Sequence, residues 1–181
     1  MRHVNLKLSE AQAFVKRYHR HSKPLKRHMF SIGAYDEFCH YPTTDPVTGG
    51  TSLKWPLGIH GIATVDRCSS AWSSDRCRIE IRRVCLSPEA PKNMASYLIS
   101  KATAACFAMG FAQIVTYTQP HECGASLRAC GFRLDDWGVK KYKDGTIEGR
   151  LRWVSDCMTL TDKGRQVQKD DLKTIADFVG V

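Results

Sequence analysis

The sequence predicts an α+β domain, a mixed central sheet with helices on both faces. Three observations carry this. An apolar run at 79–86 leads through a proline-bearing turn into an alanine-rich stretch at 94–109 and then a short apolar run at 112–118, the order of a parallel strand–helix–strand crossover. Two alternating segments, 28–38 and 56–65, precede that unit. Two more, 132–142 and 147–158, follow it around a turn at Lys143-Asp-Gly145 and read as an antiparallel hairpin.

The elements follow in order. Ser9 reads as the N-cap of a first helix, whose apolar positions Ala11, Phe14, Val15 and Tyr18 recur at helical spacing. Pro24 ends whatever helix remains. In the strand at 28–38, Phe30, Ile32 and Ala34 share one face. Pro42, Pro46, Gly49 and Gly50 make 39–54 a long loop, and 66–77 is polar and loop-like. The alanine-rich stretch from Met94 to Met109 is the clearest helix and stops at Gly110. A short helix at 124–130 stops at Gly131. Residues 1–160 form the domain, and 161–181 form a polar tail in which 172–178 fits a short helix.

Composition bounds the function. Of 181 residues, 43% are apolar and 25% charged, the balance of a globular chain and not of a disordered or fibrous one. No apolar run reaches 18 residues and the N-terminus has no apolar leader region, so a cytoplasmic protein without membrane contact is expected. Lys plus Arg outnumber Asp plus Glu by 27 to 18, a net charge of +9. Nine of the basic residues and histidines fall between Lys16 and His28, so an anionic partner is expected, such as nucleic acid, anionic lipid or a phosphorylated cofactor; a merely basic, soluble surface is the alternative. Eight cysteines are present with no C-x-x-C pair, so a zinc knuckle is not expected and reduced thiols are.

The segment from Ile79 to Leu98 is the most informative. A helix start carries unsatisfied N–H groups and a positive dipole end, which suits a diphosphate. Asn93, Ala95 and Ser96 are small or tolerant of left-handed backbone, and Lys92 adds a charge; an ordinary turn capped by Asn93 is the alternative. With this turn at its centre, the chain resembles the GNAT N-acetyltransferase fold. There the corresponding turn reads R/Q-x-x-G-x-G/A and cradles the diphosphate of coenzyme A. Here it reads Ala90-Pro-Lys-Asn-Met-Ala95, with Ala90 in place of Arg or Gln and Asn93 in place of the first Gly. Ser126-Leu-Arg-Ala-Cys-Gly-Phe132 resembles the family's later helix, but Leu127 stands where many members carry a proton-donating Tyr.

Two groups of GNAT-like proteins from phages and bacteria look closer. One is an uncharacterised family similar at Tyr18-His-Arg-His21, Glu80-x-x-Arg83-Val-Cys85, Asn93-x-x-Ser96, Val115-Thr-Tyr-Thr118 and Ser126-Leu-Arg-Ala-x-Gly131. The other is the Mom-like DNA modification group, which acts on adenine and is similar at Arg83-Val-Cys-Leu86 and Pro91-Lys-Asn-x-x-Ser96. The resemblance spans about residues 8–135.

That resemblance implies an acyltransferase using acetyl-CoA or a related acyl-CoA, with an amine as acceptor. Val84, Cys85 and Leu86 with Lys92, Asn93, Met94, Ala95 and Ser96 would hold the cofactor. Glu80 is the candidate base, or else the partner of Arg78, Arg82 or Arg83. Three residues apart on a regular strand, Glu80 and Arg83 point to opposite faces and do not pair without a bulge. Tyr117 is the candidate acid or a core aromatic; Ser126 meets the cofactor, holds a water or lies on a helix surface. His19, His21 and Arg83 are placed at the acceptor, where the histidines could bind phosphate, act as a base, ligate a metal with His28 or lie in a solvated loop. No metal is expected. Trp55, Trp72 and His60 could stack on a base or serve only in packing. A Mom-like DNA adenine modification enzyme and a non-catalytic nucleic-acid-binding module on a GNAT scaffold are the alternative functions.

Overall fold

The computed structural model describes residues 1–19, 25–36, 58–68, 77–141 and 147–157. Along the chain run β1 (Arg2–Leu6), α1 (Leu8–Tyr18), β2 (Phe30–Tyr35), β3 (Ile59–Asp66), β4 (Arg78–Leu86), α2 (Met94–Ala108), β5 (Gln113–Thr118), α3 (Ala125–Ala129), β6 (Arg133–Lys141) and β7 (Ile147–Asp156). They form one seven-stranded sheet in the order β1-β2-β3-β4-β5-β7-β6. Every neighbouring pair is antiparallel except β4 and β5, which are parallel and joined through α2. The mixed sheet with helices on both faces is therefore the observed fold. The tail 161–181, the turn at Lys143-Asp-Gly145 and the loop 39–54 lie outside the described residues.

Two expectations change at the N-terminus. The chain begins with a strand and not with the first helix, because Val4 and Leu6 alternate with polar residues and pair antiparallel with β2. The cap of α1 is Lys7 and not Ser9: the Glu10 carboxylate accepts the Lys7 backbone N–H at 2.6 Å, which starts the helix two residues earlier.

The sheet separates two main cores, beside a smaller cluster of Cys68, Val115 and Val154 against which Tyr117 packs. On one face Ala11, Phe14 and Val15 of α1 pack with Leu6, Ile59, Ile62 and Cys85. On the other, Met94, Leu98, Ile99, Ala102 and Cys106 of α2 lie on Ile32, Ala34, Ala63, Val65, Ile79, Ile81 and Ile114. Phe30, Ile32 and Ala34 share this second face as their spacing predicts. All eight residues of β3 are buried, as befits a strand covered on both sides. Gly61 lets α2 approach, since a Cβ there would stand 2.6 Å from Leu86 Cδ2 and 2.9 Å from Leu98 Cδ1.

α2 and α3 end alike. Gly110 has φ +87°; its N–H bonds to the Phe107 carbonyl, and the Phe111 N–H bonds to that of Cys106. Gly131, at φ +79°, repeats this with Arg128, as Phe132 does with Leu127. Both are Schellman caps, which require left-handed backbone and explain the two glycine stops. No helix among the described residues is long and apolar enough to cross a membrane.

A candidate active site between two splayed strands

β4 and β5 pair only from Arg78↔Gln113 to Glu80↔Val115, yet β4 runs on to Leu86 and β5 to Thr118. The sheet therefore opens into a V between them. Thr116 Oγ1 spans its apex, donating to the Ile81 carbonyl at 2.9 Å.

On its other edge β4 carries a bulge. Val65 opposes Ile81 and Thr64 opposes Arg83, so Arg82 is the extra residue. A bulge inverts side-chain parity from that point on. Ile79 and Ile81 face the α2 core, whereas Cys85 faces the α1 core. This corrects the expectation for a regular strand: Glu80 and Arg83 lie on the same face. Glu80 forms an ion pair with Arg82, at 3.7 Å.

The bulge and splay also aim main-chain groups. The Ser87 N–H is bonded to the His60 carbonyl of β3 at 2.7 Å. Counting back by two, the amides of Cys85 and Arg83 point toward β3, and those of Val84 and Leu86 point into the V. Facing them is the start of α2. Asn93 has φ 68° and ψ 6°, a left-handed residue at the start of the helix. Within the first turn, Met94 N–H reaches the Pro91 carbonyl and Tyr97 N–H that of Asn93. The amides between them, of Ala95 and Ser96, lie where a helix offers donors to an outside acceptor.

A cavity of about 480 Å³ occupies the V. One wall is Ile81, Arg82, Arg83, Val84 and Leu86 of β4, with Ala95 and Ile99 of α2 beside it. The other is Thr116, Tyr117 and Thr118 of β5, continuing into Gln119, Glu122 and Cys123. Gly124, Ala125, Ser126 and Leu127 of the α3 start, Arg150 of β7 and His19 from the end of α1 complete it. Of the residues singled out from sequence, the structure thus brings His19, Arg83, Val84, Leu86, Ala95, Tyr117 and Ser126 to one cavity.

The others lie elsewhere. The Cys85 side chain is buried against α1, and burial pushes its thiol up to about 11. Met94 is fully buried in the α2 core, so only its backbone is at the turn. Lys92 and Asn93 are exposed at the corner, and the half-buried Ser96 accepts the Cys130 thiol on its carbonyl at 3.2 Å. Glu80 stands behind Arg82, not on the cavity wall. His60 is buried, 3.5 Å from Ser87 Oγ, and His28 Nδ1 lies 2.5 Å from Ser31 Oγ. His21, Trp55 and Trp72 lie outside the described residues. Among the described residues no three His, Cys, Asp or Glu side chains come together as a metal-binding group.

The cavity's polar frame is anchored from behind. Arg82 meets Asp66 at 3.6 Å as well as Glu80, and donates to the Arg67 carbonyl at 2.7 Å. Arg83 Nη1 donates to the Arg82 carbonyl at 2.7 Å, bracing the bulge. The Trp153 indole N–H donates to Thr118 Oγ1 at 2.9 Å, fixing the end of β5. Glu122 accepts the Gln119 N–H at 2.7 Å and closes the loop beyond it. Gly124, at φ +64°, caps α3 where a Cβ would stand 2.3 Å from Trp153 Cζ2.

Sequence reasoning missed Gln119, Glu122, Cys123 and Arg150. The first three follow β5 in a loop without a motif of its own. Arg150 belongs to β7, which reaches the site only because that strand inserts between β5 and β6. The one available signal was the small run Gly124-Ala-Ser126, the kind of sequence that lets another chain or ligand come close.

No protein-family model matches the chain, and no curated protein does. Solved structures do match in fold. An IAA acetyltransferase from Bacillus cereus superposes with a TM-score of 0.59 at 10% identity, over 86% of this chain and 99% of its own. A Bacillus subtilis acetyltransferase in complex with CoA gives 0.54 at 12% identity, over 87% and 99%. A GNAT superfamily phosphinothricin acetyltransferase from Sinorhizobium meliloti in complex with AcCoA gives 0.50 at 20% identity, over 74% and 66%. The chain has the fold of the GNAT acetyltransferases.

Proposed function

We propose that this protein is an acyltransferase that moves an acyl group from acyl-CoA to an amine. The observation that carries the reading is the V between β4 and β5, with the amides of Val84 and Leu86 on one side and the start of α2 on the other. The lining fits such a cofactor. Ala95, Gly124 and Ala125 are small, so a slender chain can pass between α2 and α3. Bound there, acyl-CoA supplies an activated acyl thioester.

The chain's own groups then have distinct tasks. The N–H groups of Ala95 and Ser96, at the positive end of α2, hold diphosphate oxygens, with Lys92 and Asn93 at the same corner. The amides of Val84 and Leu86 donate to the acyl oxygen as negative charge develops on it. Leu127 has no proton to give, so Tyr117 is the phenol on the wall that protonates the departing sulfur, with Ser126 beside the cofactor. His19 takes the proton of the acceptor amine. Glu80 meets Arg82 of the cavity wall; it positions that guanidinium, and a role as a base passes through a water.

Calorimetric titration with acetyl-CoA tests the reading. The native protein binds, and Ala95→Glu, which sets a carboxylate among the anion-holding amides, abolishes binding while the fold is kept. Equal affinity of the two proteins refutes it. An adenine acceptor, the Mom-like reading, is supported by the basic residues from Lys16 to His28, of which 20–24 lie outside the described residues. Mass spectrometry of nucleosides from co-expressed DNA decides it: a shifted adenosine supports that reading and an unshifted pool removes it. Salt-dependent DNA binding with no acetyl-CoA binding would instead mark the non-catalytic module.

A further inference from the structure

We propose, resting on the acyltransferase reading, that Thr116 is a positioning residue: its hydroxyl ends the pairing of β4 with β5 and so sets the width of the V for acyl-CoA. The ladder below the apex shows where this happens. The Gln113 N–H donates to the Cys77 carbonyl at 3.2 Å, and the Ala112 carbonyl accepts the Cys157 N–H at 2.8 Å from the β7 side. Main-chain groups of Gln113 and Val115 therefore face β4, and the carbonyls of Cys77 and Ile79 face β5. By the same count of two, the Ile81 carbonyl is the next acceptor, and the Tyr117 N–H is the donor that a longer ladder would bring to it. The pairing stops before that step, and the Thr116 hydroxyl donates to the Ile81 carbonyl at 2.9 Å.

Thr116 can do this because its own main chain is turned to β7, where it opposes Trp153. Ile81 and Thr116 are both buried, and a buried carbonyl needs a donor. Without the hydroxyl, zipping the strands by one more step would supply it. With the hydroxyl in place the carbonyl is satisfied while the strands stand apart, so the drive to close is removed. Beyond the apex each strand is held on its outer side, β4 by β3 as far as Leu86 and β5 by β7 as far as Thr118. Ile81 and Thr116 both line the cavity, and the width fixed between them is carried along its walls to the amides of Val84 and Leu86. Valine has the shape of threonine and no donor, so it removes this one function.

Calorimetric titration of the full-length protein with acetyl-CoA tests this, with urea unfolding of each variant beside it. Thr116→Val weakens acetyl-CoA binding by about tenfold or more, whereas Thr116→Ser, which keeps the donor, binds within about twofold of the native protein. Ile114→Val is the control. It thins the α2 core beneath the same strand, away from the cavity wall, so it lowers the urea midpoint and leaves the affinity within about twofold. If Thr116→Val does not fold, Thr116→Ala, which also lacks the donor, carries the same prediction. Native affinity in a folded variant without the hydroxyl overturns the proposal and leaves the acyltransferase reading standing. So does an equal loss of affinity in Thr116→Ser or in Ile114→Val, which would make the effect one of bulk or of stability. Failure of the native protein to bind acetyl-CoA fells the acyltransferase reading itself, and this inference with it.

Discussion

Gly124 joins the fold to the site, and replacing it gives the sharpest test of the geometry. In Gly124→Ala two costs add. The backbone is left-handed at φ +64°, which costs an alanine about 1 kcal/mol. The new Cβ would also stand 2.3 Å from Trp153 Cζ2 and 2.6 Å from Cη2. Trp153 is 2% exposed and held by its bond to Thr118, so its ring cannot swing aside, and overpacking of this kind costs about 1–3 kcal/mol. The total is about 2–4 kcal/mol. Gly110→Ala and Gly131→Ala are the controls: both glycines have positive φ, and a Cβ at either meets nothing within 4 Å. Each should lose about 1 kcal/mol, the backbone cost alone. Urea unfolding of all three, followed by far-UV circular dichroism, gives the differences. If Gly124→Ala loses no more than the two controls, the packing of Trp153 under the α3 start is wrong, and so is that side of the cavity.

Other perturbations read other parts of the account. Asn93→Gly should keep or slightly raise stability and Asn93→Ala should lose about 1 kcal/mol by thermal melting, because only the left-handed backbone distinguishes them. Thr118→Val removes the acceptor of the Trp153 indole and should cost about 1–3 kcal/mol, read by the urea midpoint. Iodoacetamide at pH 8 should alkylate the exposed Cys123 well before Cys85 and Cys106, and acetyl-CoA should protect Cys123, as peptide mass spectrometry would show. Burial raises those two buried thiols to about 11 and about 12, so the native state keeps their protons where the unfolded chain has begun to lose them. Stability should therefore fall as pH rises from about 9 toward 12, and Cys106→Ala should shallow that fall in urea melts.

Particular residues show what a sequence can reveal. The α2 turn was legible because its chemistry is local: Asn93 tolerates left-handed backbone and Gly110 ends a helix, whatever surrounds them. β1 was passed over although Val4 and Leu6 alternate with polar neighbours; two apolar positions are too few to weigh against a helix start close behind. The bulge at Arg82 leaves no mark in the order of residues, since β3 opposite determines which residue is skipped. Parity counted along 79–86 therefore placed Arg83 on the wrong face. The cavity's far wall depended on β7 inserting between β5 and β6, a choice among strand orders that a hairpin pattern does not make. Thus the helix-start side of the cavity was largely readable, and most of its far wall required the fold.

The central claim is that Val84 and Leu86 present their amides to the acyl group while the start of α2 holds the diphosphate. A crystal structure of the protein with a non-hydrolysable acetyl-CoA analogue tests it most directly. The diphosphate should lie within hydrogen-bonding distance of the Ala95 and Ser96 amides, and the acyl oxygen beside those of Val84 and Leu86. An analogue bound outside the V, or lying in it with the diphosphate away from the helix start, would contradict it.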